Sequence, residues 1–320
     1  TLTSFNEGIV LDVDTHVSGS EGAIIFQADS SFSSLEAKAI NGINVNADIT
    51  TTTGALSLNG DSDSYTDSIN PKDNITFASG VSLNSTTSIS LSAITGGMTA
   101  AAGLTLNAPT NITTTGDLTA AGAVTMTANS GITLNGSITT STGDLNINAN
   151  SSALALGSEI TLSSAGALIL SASNTTSAGN LVLTSTGSTI NVDNALVSQG
   201  DVTMTANSGL TLGNSALTAT GNINLQGGSS LSLVSGMNIS GGNITLGGTT
   251  ISSNNGSLTL NSTDSITVGN ALTSLTTASL TTNSGLSMAG LSANGTVEIN
   301  SGTGSTTITG AVTTTKNTLN

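Results

Sequence analysis

The side chains able to do chemistry are few, and most lie near the start of the chain. There are 18 acids against three lysines (Lys38, Lys72, Lys316), one histidine, and neither cysteine nor arginine. Residues 61–73 form the most polar stretch, and within it Asp61, Asp63, Tyr65 and Asp67 set oxygen ligands at the alternate spacing of a calcium loop. The loop glycine is missing, and Lys72 stands where the closing glutamate belongs. A solvated loop bulging from one corner is the preferred reading, with calcium left open. Asp12-Val13-Asp14-Thr15-His16 alternates so that Asp12, Asp14 and His16 share one strand face, either a metal-capable set or an ordinary wet face.

Beyond residue 80 the acids stand alone: Asp117, Asp144, Glu159, Asp193, Asp201, Asp264 and Glu298. Asp117, Asp144 and Asp201 each follow a glycine that opens a strand, where a turn-forming side chain accounts for them. Cleaving a polysaccharide calls for acids converging on one face, commonly with a cation to stabilise developing charge. Isolated acids and scattered lysines do not supply that. The sequence is read as a non-enzyme, with no catalytic, cofactor-binding or metal residues assigned and no cofactor.

The totals exclude further classes. A formal charge of −15 opposes nucleic acid, whose binding rests on lysine and arginine neutralising phosphates. It equally opposes docking on anionic lipid. No apolar run reaches the ~18 residues of a membrane span, so no membrane insertion is expected. Without cysteine there is no disulfide framework or thiol chemistry, which suits a chain exported unfolded. Thr1 opens no signal peptide, and both ends read as cut from something longer or matured.

What would position these residues is a repeat. Gly200-Asp201-Val202-Thr203-Met204 returns as Gly221-Asn222-Ile223-Asn224-Leu225 and again as Gly242-Asn243-Ile244-Thr245-Leu246, at an even step. Two more short apolar runs fall inside each cycle, among them Leu210-Thr211-Leu212 and Leu231-Ser232-Leu233. Strict alternation of apolar with small polar residues is the period of a strand with one buried face. Three such strands per cycle of about 21 residues, with no helical pattern, predict a solenoid of stacked coils. The expected fold is a triangular parallel β-helix over residues 1–320 as one domain. About 15 coils at about 4.8 Å would make a rod of about 70 Å.

Glycine followed by alternating apolar residues recurs at Gly122, Gly143, Gly166, Gly179, Gly200, Gly221, Gly242, Gly256 and Gly295. Two steps are short, from Gly166 to Gly179 and from Gly242 to Gly256. The second is two thirds of the full step and the first is close to it. At both places the same cassette is therefore predicted to move to another face of the triangle. Asn129, Asn207 and Asn283, each in Asn-Ser-Gly, are expected to turn the corners through positive φ. Residues 1–80 hold all five aromatics (Phe5, Phe26, Phe32, Tyr65, Phe77) and are read as wider, divergent coils. Threonine pairs such as Thr125/Thr127 and Thr203/Thr205 suggest an ice-binding face, but Asn146/Asn148 and Asn224/Gln226 interrupt any threonine grid.

The wording from Gly116 onward, with Gly-Asp-Leu-Thr, Gly-Ile-Thr-Leu, Gly-Asn-Ile-Asn-Leu and Ala-Leu-Thr-Ala-Thr-Gly, resembles the repeat region of filamentous-haemagglutinin-like exoproteins over residues 40–320. These are large secreted adhesins of two-partner secretion in Gram-negative bacteria. The resemblance implies a right-handed parallel β-helix exported to the cell surface as a fibre. The Asn-Pro-Asn-type secretion motif of that family is absent, Asn70-Pro71-Lys72 being a different sequence. That points to an internal segment or to another export route.

Together these readings give an extracellular structural protein: a rigid acidic rod of an adhesin, sheath or filament. Its partners would be a continuing chain or further copies joined head to tail, and a host or matrix glycan or protein. The aromatic-rich opening is the expected partner surface, through Phe5, Phe26 or Phe32 if any of them is exposed. The alternative from another class is a carbohydrate-binding or carbohydrate-cleaving β-helix.

Overall fold

Short runs of alternating aliphatic and small polar residues can bury one face only, and here they do so by stacking on their own repeats. In the computed structural model, residues 8–13, 22–63, 73–213 and 216–314 are described, and every regular element among them is a β-strand. Through most of the chain each strand pairs in parallel with the third strand along, so three strands complete a turn. The result is an all-β solenoid with a spacing of about 21 residues and about 13 turns, rather than about 15. One coil accounts for part of the deficit: Leu56 pairs with Ile89, a step much longer than the usual one. The chain divides into two compact units, residues 1–157 and 158–320.

In the first unit, the row Leu35, Leu56, Ile89, Ile112, Ile132 and Leu154 stacks like on like down one column. All six are buried. Buried aliphatic side chains stabilise by about 1.5–3 kcal/mol each, and a single coil has too few of them to fold alone. The early coils are not uniformly wider. Ile24 pairs with Ile43, a step slightly shorter than the usual one. The aromatics instead fill the interior: Phe26 and Phe32 meet edge to face at 6.3 Å and 76°. Phe77 lies over Val45 on one side and Ala100 on the other, so the thin Ala100–Ala102 stretch makes room for the large ring.

The second unit shows the predicted change of face. Leu168 and Leu170, the cassette of Gly166, stack under Ile190 and Val192. Leu181 and Leu183, the cassette of Gly179, join a different column, under Val202 and Met204, then Ile223 and Leu225, then Ile244 and Leu246. After the second short step, Leu258 and Leu260 lie on Met237 and Ile239 in the third column. Each short step therefore carries the cassette two faces on. The matching octets at Val124 and Val202 begin strands Val124–Ala128 and Val202–Ala206, eleven strands apart in chain order. That is three and two thirds turns.

The corners work differently from the sequence expectation. Asn129, Asn207 and Asn283 do not adopt positive φ; the described non-glycine residues that do are Asn150, Glu159, Asn254, Asn255 and Ser274. Many corner glycines are needed for close approach instead. A Cβ on Gly143 would stand 2.4 Å from the Ala123 backbone nitrogen of the coil below. Serine and threonine also turn inward at corners. Thr140 is buried and donates to the Gly143 carbonyl at 2.6 Å. The Gly166 carbonyl takes two hydroxyls from successive coils, Ser164 at 2.8 Å and Ser185 at 2.6 Å.

Candidate functional site

The residues singled out in the sequence are not gathered into one place. Asp12 is exposed on strand Ile9–Val13 and faces Lys38 in register. Lys38 forms an ion pair with Glu36 at 2.5 Å, both about two-fifths exposed (40% and 42%). The hydrogen bond and charge of Glu36 push the Lys38 pKa up, burial opposes the rise, and Asp12 adds a smaller upward contribution. The strand face that could have held a metal thus has a lysine opposite its first acid. Asp14 and His16 lie outside the described residues.

The odd-spaced acids of 61–73 are likewise separated. Asp61 is 1% exposed, whereas Asp63 is exposed; Tyr65 and Asp67 lie outside the described residues. Asp61 meets other groups. Its Oδ2 accepts both the backbone N–H and the hydroxyl of Thr95, each at 2.9 Å. The same hydroxyl stands 3.4 Å from Oδ2 of Asp73, itself 7% exposed. Both described ends of the expected solvated loop are therefore buried. Asp73 is also fixed through its main chain, its carbonyl accepting the Gly96 N–H at 3.1 Å.

Three of the isolated acids, Asp117, Glu159 and Asp201, have side-chain partners in the neighbouring coil. Asp117 Oδ1 accepts the Ser137 N–H at 2.8 Å. In the second unit a column runs up one corner: Asn180 donates to Glu159 at 2.9 Å, Asp201 N–H to Asn180 at 2.8 Å, and Asn222 N–H to Asp201 at 2.6 Å. Asn243 continues it on Asn222 at 2.9 Å. The repeat period predicts which residues stack, but not that their side chains would take over the backbone donors of the corner.

Among the described residues no group of three or more histidines and acids converges. The groove lined by Thr205, Gln226, Gly228, Thr249 and Asn270 holds no charged side chain, and so no acid–base pair for glycoside chemistry. The threonine pairs are interrupted as the sequence indicated: Thr125 and Thr127 lie against Asn146 and Asn148, and Thr203 and Thr205 against Asn224 and Gln226.

Phe26 and Phe32 do not meet the exposure that an aromatic partner surface requires. Phe26 is 6% and Phe32 3% exposed, because each ring closes the inside of an early coil; Phe5 lies outside the described residues. The exposed large apolar side chains among the described residues are Val10, Ile25, Ile94 and Val197. No helix among the described residues is long and apolar enough to cross a membrane. No family model matches the chain, and no curated protein or solved structure matches it.

Proposed function

We propose that the chain is a structural segment of a bacterial surface protein, in which the stacked coils themselves are the working part. The observation that carries this reading is the parallel register of one column. In the second unit Leu181, Val202, Ile223 and Ile244 follow one another at one constant step in a single column, and all are at most 1% exposed. A column held at every rung by main-chain hydrogen bonds and a continuous apolar row resists bending and stretching. Such a column supports a role in reach and stiffness, as an adhesin stalk, sheath or filament.

The repeat grammar that resembles filamentous-haemagglutinin-like exoproteins supports an exported, extracellular setting. The high acid content and the lack of cysteine agree with it. Among the described residues, strands Ile24–Phe26 and Ser30–Phe32 pair on one side only, as do Ser305–Ile308 and Val312–Thr314. Unpaired edges are templates for further strands, so the natural partner is another coil, from a longer chain or a second copy.

Negative-stain images of the purified chain test the reading. Particles should lengthen by about 4.8 Å for each regular coil added within a unit. String-like particles, or a length that does not grow with added coils, would overturn it. Sugar release from a polysaccharide panel would favour the carbohydrate-cleaving alternative instead.

A further inference from the structure

Two buried acids meet at the corner that joins residues 61, 73 and 95. Asp61 is 1% and Asp73 7% exposed, and both turn a carboxylate oxygen toward one hydroxyl, that of Thr95. A hydroxyl carries a single proton and can donate to only one acceptor. With the shorter contact at 2.9 Å going to Asp61, the proton is committed there. Asp61 has a further deficit: its second oxygen, Oδ1, is buried with no hydrogen-bond partner. Among the described residues no lysine pairs with Asp61, and a buried carboxylate without a compensating charge is strongly unfavourable.

From this geometry we propose that Asp61 and Asp73, with the Thr95 hydroxyl between them, bind one hard divalent cation, with Ca2+ the expected occupant. Two carboxylates neutralise its charge, and the free Oδ1 of Asp61 supplies the open ligand position. Oxygen-only donors select Ca2+ or Mg2+ over softer metals. The set differs from the one the sequence spacing suggested, because Asp63 is exposed and Asp73 takes the second place. It also gives the cation a task. Asp61 follows strand Leu56–Asn59, Asp73 precedes Ile75–Phe77 and Thr95 follows Ile89–Ser92. The ion would tie together strand ends on either side of the long step from Leu56 to Ile89.

Equilibrium dialysis of the full chain, stripped with EDTA and titrated with CaCl2 and in parallel with MgCl2, tests this. One Ca2+ per chain is expected, with a rise in Tm on adding Ca2+. Binding and the rise should both be lost in Asp61→Asn and in Asp73→Asn, which keep side-chain shape, and kept in Asp201→Asn. Should one of the two site variants fail to fold, the other carries the comparison. The proposal is overturned if the unmodified chain binds neither ion at millimolar concentration. It is also overturned if binding survives both substitutions, or if carboxyl infrared bands show a proton shared between Asp61 and Asp73 that added Ca2+ does not displace.

Discussion

Asp201 accepts the backbone N–H of Asn222 at 2.6 Å, from one coil to the equivalent corner of the next. The same relation repeats one coil on, where Asn222 accepts from Asn243 at 2.9 Å. Corners are where a parallel β-coil leaves its main-chain donors unpaired, so a side-chain acceptor at the same place in each coil closes the gap. Asp201→Ala removes that acceptor and is expected to lower stability by about 1 kcal/mol. Asp201→Asn, which keeps an oxygen in place, should cost less than half as much. Urea unfolding of the two variants checks the order.

Gly143 and Gly80 separate two reasons for glycine. A Cβ on Gly143 would press on the Ala123 main chain at 2.4 Å, while one on Gly80 meets nothing within 4 Å but sits at φ 71°. Gly143→Ala should cost about 1–3 kcal/mol through overpacking, and larger side chains there should cost more. Gly80→Ala should cost about 1–2 kcal/mol from its left-handed backbone, and Gly80→Asn less than that. Denaturant midpoints across both series distinguish clash from conformation.

The Gly166 carbonyl takes hydroxyls from Ser164 and Ser185. Removing either by Ser→Ala leaves the other in place and should cost about 0.5–1.5 kcal/mol. The double variant leaves the carbonyl without either hydroxyl and should cost more than the sum of the two. A double-mutant cycle in urea measures the difference.

Lys38 offers a pH-dependent test. Its pKa is raised, first by the hydrogen bond and charge of Glu36. A lysine with a raised folded pKa contributes stability fully present below its unfolded value of about 10.4 and lost as pH rises through the higher folded value. Glu36→Gln should bring the Lys38 titration back down, and Asp12→Asn should move it in the same direction by less. NMR detection of the Lys38 Cε protons reports both shifts.

The parts that were legible in the sequence are those set by periodicity. The evenly spaced glycine anchors, the alternation in runs such as Leu181-Val182-Leu183, and the two short steps foretold strand type, stacking partner and even the change of face. Geometry within a corner was not legible. Asn129 and Asn150 have the same side chain, yet only Asn150 takes positive φ. The inward turn of Thr140 and Ser185 was hidden because serine and threonine suit an outward strand face equally well. Asp61 and Asp73 read as solvated because their shared contact, Thr95, is 34 and 22 positions away in sequence. The turn count fell short in part because the coil between Leu56 and Ile89 is much longer than the others.

Pulling a single chain from its two ends by force spectroscopy tests the central claim most directly. If successive coils are the load-carrying units, extension should proceed in steps of about 70 Å or whole multiples of it, the extended length of one coil. Smooth low-force stretching, or steps unrelated to that length, would contradict the account.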